Sequence, residues 1–290
     1  MHAAPNILVL RHPDDPFDRT SYVIRALIDE WRRRGMTVAV TDRTTYEKID
    51  EGTLVIPHLD LTRTPAAYQR FIERCPKVVN RAVMDISKRR ISRNLVTSPR
   101  QFDGAVIVKP NRNACGEPER SKLRRSGRVG WMMSQAMARL PWTLTAQIGS
   151  PGYRIYERSR DVPWVVWHNP RLVIEKFLPE RQGDQYCLRQ YVFFGDREIN
   201  TLAVSPEPIV KAWNVTRREL LSETPPALRV MRASLGFDFG KFDYVIRNGE
   251  VVLFDTNRTP TYNAASKAGS PSQLVLDLAN GIEAFTRTAA

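Results

Sequence analysis

The sequence predicts an α/β protein in two unequal parts: a small layer of parallel strands, then a larger part built on antiparallel strands. Three observations carry this. Apolar strand-like runs alternate with amphipathic helical segments through the first 80 residues. Residues 105–111 and 172–179 are short β-branched runs with charged residues set into them. Residues 240–260 hold two apolar runs joined by Arg247-Asn248-Gly249. Strands that alternate with helices pack as a parallel sheet covered by those helices. An Asn-Gly pair between apolar runs is a strong hairpin signal, because both residues tolerate the positive φ that such a turn needs.

The chain opens on an apolar strand at 6–10, followed by a polar loop from Arg11 to Pro16. Helical periodicity runs from Asp18, a candidate N-cap, to Arg34, with Gly35 as the stop. Strands are expected at 38–40, 53–57 and 77–79, and helices at 65–74 and 81–95. The first strand has no G-x-G-x-x-G after it, so no dinucleotide fingerprint is present. Arg11, His12, His58 and Asp60 fall just past strand ends, where open α/β sheets bind ligands, with ordinary polar loop residues as the alternative. Arg11 with His12 is the pair best suited to receive a carboxylate.

The run AVIVKPN at 105–111 reads as a buried strand that delivers the Lys109 ammonium to its end. A lysine ending an apolar strand and followed by proline is poorly explained as packing. A helix is expected at 131–140, and Trp164 and Trp167 read as core aromatics. The next strand, LVIEKFLP, carries Glu175 and Lys176, and the turn Gly183-Asp184 opens a further strand at 185–193. Lys211 projects from a proline-rich stretch at 199–213, and residues 217–235 read as helical around Thr224-Pro225-Pro226.

In the late hairpin Asp243 interrupts an apolar strand, while Asp255 and Asn257 lie two apart on one face. Three oxygen-bearing side chains converging there suit a hard cation such as Mg²⁺, with phosphate and water filling its other positions. Solvated strand-end aspartates capping a turn are the alternative.

Composition narrows the classes. At 290 residues and 42% hydrophobic content the chain can bury a sizeable core in two or three subdomains. No stretch reaches the roughly 20 apolar residues of a membrane span. The start, MHAAPNILVL, has no basic segment ahead of a secretory core, so a cytoplasmic protein is expected. Cys75, Cys115 and Cys187 show no C-x-x-C spacing, which argues against a zinc site or a disulfide framework. The formal charge of +13, from 44 Lys and Arg against 31 acidic residues, raises affinity for polyanions, ATP among them. Clusters at 32–34, 87–94 and 119–128 are open to nucleic acid or to a solvated basic surface, and nucleic acid is the less favoured partner.

Taken in order, IVKPN, IEKFLPE, GDQYCLRQYVF, GFDFGKFDYVI and FDTNRTP make residues 77–263 resemble the nucleotide-binding part of the ATP-grasp superfamily. That resemblance implies a Rossmann-like pre-ATP-grasp layer at 1–80 on the substrate side, then an ATP-grasp domain at 81–290 whose antiparallel sheets clamp the nucleotide, with a flap or insertion at about 111–170. It implies ATP as cofactor, held by Lys88, Lys109, the hinge residues Glu175, Lys176, Phe177 and Leu178, and Asp184 at the ribose. It places one or two Mg²⁺ ions on Asp243, Asp255 and Asn257, and sets Lys109, Lys211, Lys241 and Arg258 around the reacting phosphate.

Asn80, Asp85 and Lys88 are similar to the family's first lysine motif, although Lys88 stands only 21 residues before Lys109 and a solvated helix face competes with it. The flap segment 111–116 has a single glycine where the family is glycine-rich, so Arg112, Arg120, Lys122, Arg124 or Arg125 are candidates to replace its amides. Asp255 stands where the family most often has Glu, and its shorter side chain leaves one magnesium ion or two as alternatives. The activity implied is an ATP-dependent carboxylate–amine ligase working through an acyl phosphate on a small-molecule or peptide carboxylate and an amine, with a homodimer as one assembly. A kinase of a polyanionic molecule and a weakly catalytic nucleotide-binding module are the alternatives.

Overall fold

The computed structural model describes residues 6–45, 49–148, 152–262 and 272–286. The first five residues of the chain and Asn263, where the family-like stretch ends, lie outside the described residues.

Strands β1 (Ile7–Arg11), β2 (Val38–Thr41), β3 (Leu54–His58) and β4 (Lys77–Val78) form a parallel sheet in the order β2-β1-β3-β4. Successive side chains of β1 take opposite faces. Ile7 and Val9 pack with Leu27 and Trp31 of helix α1 (Val23–Arg33), whereas Leu8 and Leu10 pack with Tyr68 and Phe71 of helix α2 (Ala66–Arg74). Both faces are therefore covered, as a parallel sheet requires. β1 and β3 end together, with Arg11 opposite His58.

Helix α1 begins five residues later than the periodicity predicts. Asp18 sits in a 3-10 turn at Phe17–Arg19, and Tyr22 is the N-cap without a side-chain cap bond. The amide of Val23 donates instead to the Pro260 carbonyl at 2.8 Å, so a tertiary partner satisfies what a local cap would have.

The helix expected at 81–95 reduces to α3 (Lys88–Ile91). Asn80 takes a left-handed conformation, φ 57°, and its side chain bridges the backbone of Asp238 and Phe239. Backbone bonds to Thr62 and Thr64 and burial of Val83 and Ile86 hold the segment extended. These long-range bonds outcompete the local helical ones.

A second sheet, order β6-β5-β7, is antiparallel and contains β5 (Val106–Pro110), β6 (Arg154–Tyr156) and β7 (Leu172–Lys176). Between β5 and β6 run helices α4 (Glu117–Arg125), α5 (Arg128–Ala138) and α6 (Trp142–Thr145), and α7 (Trp164–Trp167) precedes β7. Trp167 is partly buried against this sheet's core, but Trp164 is 74% exposed and is not a core residue.

The third sheet has six antiparallel strands. β8 (Glu180–Gln182) pairs with β9 (Gln185–Phe194), and the order continues β11-β10-β9-β12-β13 through β10 (Arg197–Ser205), β11 (Arg217–Leu220), β12 (Phe239–Arg247) and β13 (Glu250–Asn257). Residues 217–220, expected to be helical, pair with β10 as an edge strand; helix α8 (Pro226–Leu235) starts only after the prolines. Pro226 at the first helical position fits there because its missing amide has no helical partner anyway. Tyr191, Phe193, Phe242, Tyr244 and Leu228 form the core beneath the sheet. The last described residues form α9 (Gln273–Asp277) and α10 (Glu283–Thr286), and Leu278, Ala279 and Ile282 between them complete the core of the first layer.

The β12–β13 hairpin has the expected turn, with Asn248 at φ 53° and Gly249 at φ 81°. Counting from that turn, Arg247 faces Glu250 and Tyr244 faces Leu253, so an unbroken ladder would set Asp243 against Phe254 and leave Asp255 on the opposite face. A β-bulge between Asp243 and Tyr244 absorbs Phe254, and Asp243 lies directly opposite Asp255. One extra residue thus brings the two carboxylates together.

Candidate active site

Lys109 ends β5 and is 7% exposed. Its Nζ lies 2.6 Å from Glu175 Oε2 on the paired strand β7 and 5.1 Å from the centre of the Phe254 ring, which the bulge displaces. Lys88, 2% exposed, donates to both oxygens of Asp255 at 3.1 Å. Burial opposes the Lys88 charge, but the charge and hydrogen bonds of Asp255, with Glu175 beyond, outweigh it and hold its pKa above the ordinary value. Lys241 reaches Asp243 at 3.2 Å, and Gln190 Nε2 donates to the same carboxylate at 3.1 Å. Lys211 lies over the Tyr153 ring at 5.0 Å, and burial pushes its pKa down, with Asp243 and Asp255 opposing.

These groups meet around one cleft of about 690 Å³ of open space. Lys88, Lys109, Lys176 and Lys211 line it against Asp243 and Asp255, so its walls carry an excess of positive charge. The rest of its lining is largely apolar and includes Ile107, Phe177, Leu188, Ile209 and Val210. Among the described residues no cluster of three or more His, Cys, Asp or Glu side chains is placed to hold a metal ion. Two hard carboxylates facing each other across a hairpin nevertheless fit Mg²⁺, which takes one or two carboxylates when phosphate oxygens supply the rest. Asn257 is already engaged, since its Oδ1 accepts the amide and hydroxyl of Thr259 at 2.8 and 3.0 Å.

Several predicted site residues stand elsewhere. Asp184 is exposed on the β8–β9 turn and does not line the cleft. The amides of Lys176 and Phe177 donate to the carbonyls of Asn94 and Ala105, which removes them as hinge donors, and Leu178 follows just outside the lining. Arg258 is 3% exposed and donates to the carbonyls of Leu59, Leu61 and Val83 and to Thr64 Oγ1. With its guanidinium so engaged, Arg258 clamps the end of β13 to the first layer instead of facing the phosphates.

His12 is no cation either. Its Nε2 is 2.8 Å from Lys122 Nζ and its Nδ1 accepts the Asp14 amide; burial and then the Lys122 charge lower its pKa. His58 is fully buried, edge-on to Phe17 and Tyr22, with neither ring nitrogen hydrogen-bonded. Burial, aided by Arg258, pushes its pKa down to about 3. Arg11 lies half-buried at the end of β1, where its carbonyl accepts the Tyr68 hydroxyl at 3.4 Å. Asp60 accepts the hydroxyls of Thr259 and Tyr22, and burial raises its pKa. With His12, Asp14, Asp15 and Lys122 it lines a second cavity of about 700 Å³ beside the first layer.

His58 yields a prediction. Below its unfolded value of 6.5 the unfolded chain takes a proton that the folded one refuses, so stability must fall as pH drops from 6.5 toward 3. The slope from this group is about 1.4 kcal/mol per pH unit. Urea unfolding at pH 6.5 and 5 should show wild type losing ~2 kcal/mol more than His58→Leu, and equal losses would refute the assignment.

The flap takes an unexpected shape. Ala114 at φ 43°, Cys115 at φ 57° and Gly116 at φ 72° are successively left-handed, although only one is glycine. Left-handed non-glycine residues store strain and persist only where surroundings hold them. Here Asn113 N donates to Thr62 Oγ1, Thr62 N to Glu119, and Arg120 to the Cys115 carbonyl. None of Arg112, Arg120, Lys122, Arg124 or Arg125 lines the cleft, so none replaces flap amides there.

Sequence reasoning missed Tyr153, whose hydroxyl meets Cys115 Sγ at 3.2 Å, and Phe254, which reads as an ordinary strand residue. Gln190, beside Arg189 in the middle of β9, was not singled out by sequence.

No protein-family model and no curated protein matches this sequence. Solved structures do. The ATP-grasp ligase PsnB with a phosphomimetic variant of minimal precursor, Mg and ADP aligns with TM-score 0.57 at 14% identity, over 99% of this chain and 100% of that one. PsnB with minimal precursor, Mg and ADP gives 0.54 at 13% identity, over 99% of both chains. PsnB with precursor peptide PsnA2 and AMPPNP gives 0.54 at 14% identity, over 98% and 100%. The chain has the ATP-grasp fold.

Proposed function

We propose that this chain is an ATP-dependent carboxylate–amine ligase that forms an acyl phosphate and releases ADP and phosphate. One observation carries the reading: the side chains of Lys88, Lys109 and Lys211 and those of Asp243 and Asp255 line one cleft together with apolar residues such as Phe177 and Ile209. The apolar lining suits a nucleobase, and the lysines suit a triphosphate. ATP-grasp ligases of the same fold have been seen with ADP, Mg and precursor, which supports the choice of ligands.

Asp243 and Asp255 would hold magnesium. Bound there, the metal supplies positive charge that neutralises phosphate oxygens. The rest belongs to this chain. Lys109 is held by Glu175 in one orientation, so its charge is already aimed where negative charge grows during phosphoryl transfer. Lys241 steadies Asp243, and Lys211, which rests over the Tyr153 ring, is free to follow the transferred group. The parallel layer within residues 1–80, whose core the segment around Leu278–Ile282 completes, would serve the substrate side and the two antiparallel sheets the nucleotide, with Arg258 as the clamp between them. The second cavity, where Asp14, Asp15, Asp60 and Glu117 outnumber Lys122, suits an amine.

Coupled assays test this. Protein with Mg-ATP and pools of carboxylic acids and amines should release ADP and phosphate only when an acid is present, with full turnover requiring an amine as well. A phosphorylated hydroxyl product would instead identify a kinase, and tight ATP binding without turnover a regulatory module.

A further inference from the structure

Helix α5 packs in the reverse of the usual sense. A helix on a protein surface normally turns its apolar stripe inward. Here Gly130 and Ser134, one turn apart, are the buried positions, whereas Val129 is 71%, Trp131 53%, Met132 56% and Met133 52% exposed. Gly130 lets α5 lie against the end of α4, because a Cβ there would collide with the Leu123 carbonyl oxygen. Leu140 and Leu144, just beyond the helix, are exposed as well. None of these six apolar side chains belongs to a core cluster among the described residues. Packing within this chain therefore does not account for them.

The same insertion carries charge of one sign. Between Arg120 and Glu157 stand Lys122, Arg124, Arg125, Arg128, Arg139 and Arg154, with no Asp or Glu. Arg124 is paired with Glu117, but the exposed side chains of Arg128 and Arg139 have no ion pair or hydrogen bond among the described residues. Arg128, Met132 and Arg139 are spaced four and then seven apart, so they lie along one face of α5. A second copy of this chain would set these arginines against their own kind, and like charges across an interface cost affinity. Single-stranded nucleic acid stacks on several aromatic platforms, and Trp131 is the one aromatic side chain on α5. A peptide docks into a groove, whereas α5, buried only at Gly130 and Ser134, stands out as a ridge. A surface that is anionic and also takes up apolar side chains from a ridge is that of a bilayer containing acidic phospholipid.

We propose that α5, with the residues that follow it to Leu144, docks this protein on a membrane surface rich in anionic phospholipid. Val129, Trp131 and Met132 enter the boundary between headgroups and acyl chains, the level that suits an amphipathic indole. Arg128 and Arg139, at the two ends of the helix, meet lipid phosphates while their apolar stems stay lower down. No helix among the described residues is long and apolar enough to cross a bilayer, so α5 lies in the interface. The overall +13 charge draws the protein to such a surface, and the exposed apolar ridge fixes which side settles on it. No residue of α5 lines the lysine-rich cleft, so docking and nucleotide turnover are separable.

Co-sedimentation of the full chain with vesicles tests this, using phosphatidylcholine alone and an equal mixture of phosphatidylcholine and phosphatidylglycerol. The mixed vesicles should bind the protein and the neutral ones should not. Trp131→Ser/Met132→Ser, which changes no charge, should weaken binding by about tenfold or more, and so should Arg128→Gln/Arg139→Gln. Arg100→Gln/Arg247→Gln, the same charge change at exposed positions away from α5, should stay within about twofold of wild type. Lipid brominated in its acyl chains should quench wild-type tryptophan emission, and Trp131→Phe should still bind but lose most of that quenching. Undiminished binding by Trp131→Ser/Met132→Ser, or equal losses in the two arginine variants, would mean bulk charge and would overturn the site. Quenching that survives in Trp131→Phe would do the same. So would a wild-type dimer in light scattering that becomes a monomer in Trp131→Ser/Met132→Ser while neither protein binds vesicles, or an oligouridylate bound more tightly than the vesicles and lost in that variant.

Discussion

Asp255→Asn should remove ATP turnover by about a thousandfold and make folding stability depend on pH in the sense opposite to wild type. The activity loss follows from replacing a charged oxygen donor at the proposed metal site with a neutral amide. The stability effect is independent of any metal. Lys88 is 2% exposed, and Asp255 is the charge that offsets its burial. Stripping one partner from a buried pair costs about 3–5 kcal/mol.

In wild type the Lys88 pKa lies above its ordinary 10.5, so its contribution is fully present below that value and is lost as pH rises past it. In Asp255→Asn the charge and hydrogen bonds that outweigh burial are gone, only the more distant Glu175 charge opposes it, and the pKa is expected to fall below 10.5. Between the two values the unfolded chain then binds the proton that the folded one lacks, and stability rises with pH. Urea unfolding of both proteins from pH 7 to 10 should show the gap between them narrowing. A constant gap would mean that Lys88 is charged without help from Asp255.

Lys109→Met should cost turnover about 10²–10³-fold and also destabilise the fold, because Glu175 is 1% exposed and loses its 2.6 Å partner. The double variant Lys109→Met/Glu175→Leu separates the two effects. Replacing a buried ion pair by apolar groups of similar volume is often neutral or stabilising. The double variant should therefore regain a denaturation midpoint near wild type while turnover stays lost. If turnover returned along with stability, Lys109 would be a structural cation, and the proposed phosphate site would lose its centre.

How far the chain could be read in advance differs from element to element. The first layer was legible because β1 and β3 are continuous apolar runs and α1 has a clear periodic face. Lys109 was legible because an ammonium at the end of VIVK has little business in a core. The helix at 81–95 failed because Asn80 binds the backbone of Asp238 and Phe239 and Asp85 forms a β-bridge with Arg63. Arg258 and His58 were misjudged alike: both are polar residues at strand ends, and only burial tells a structural clamp and a neutral core imidazole from ligands.

The sequence by itself determined the strands, the Asn-Gly turn and the order of charged residues along them, since local conformational preference and hydrophobic period act over a few residues. Tertiary structure alone decided which charges meet. Phe254 had to be absorbed in a bulge before Asp243 could face Asp255, and Lys88 and Asp255 pair across 167 positions of chain. The same packing turned the basic flap away from the cleft. Electrostatic partnership depends on distance and burial in space, and one residue of register is enough to change both.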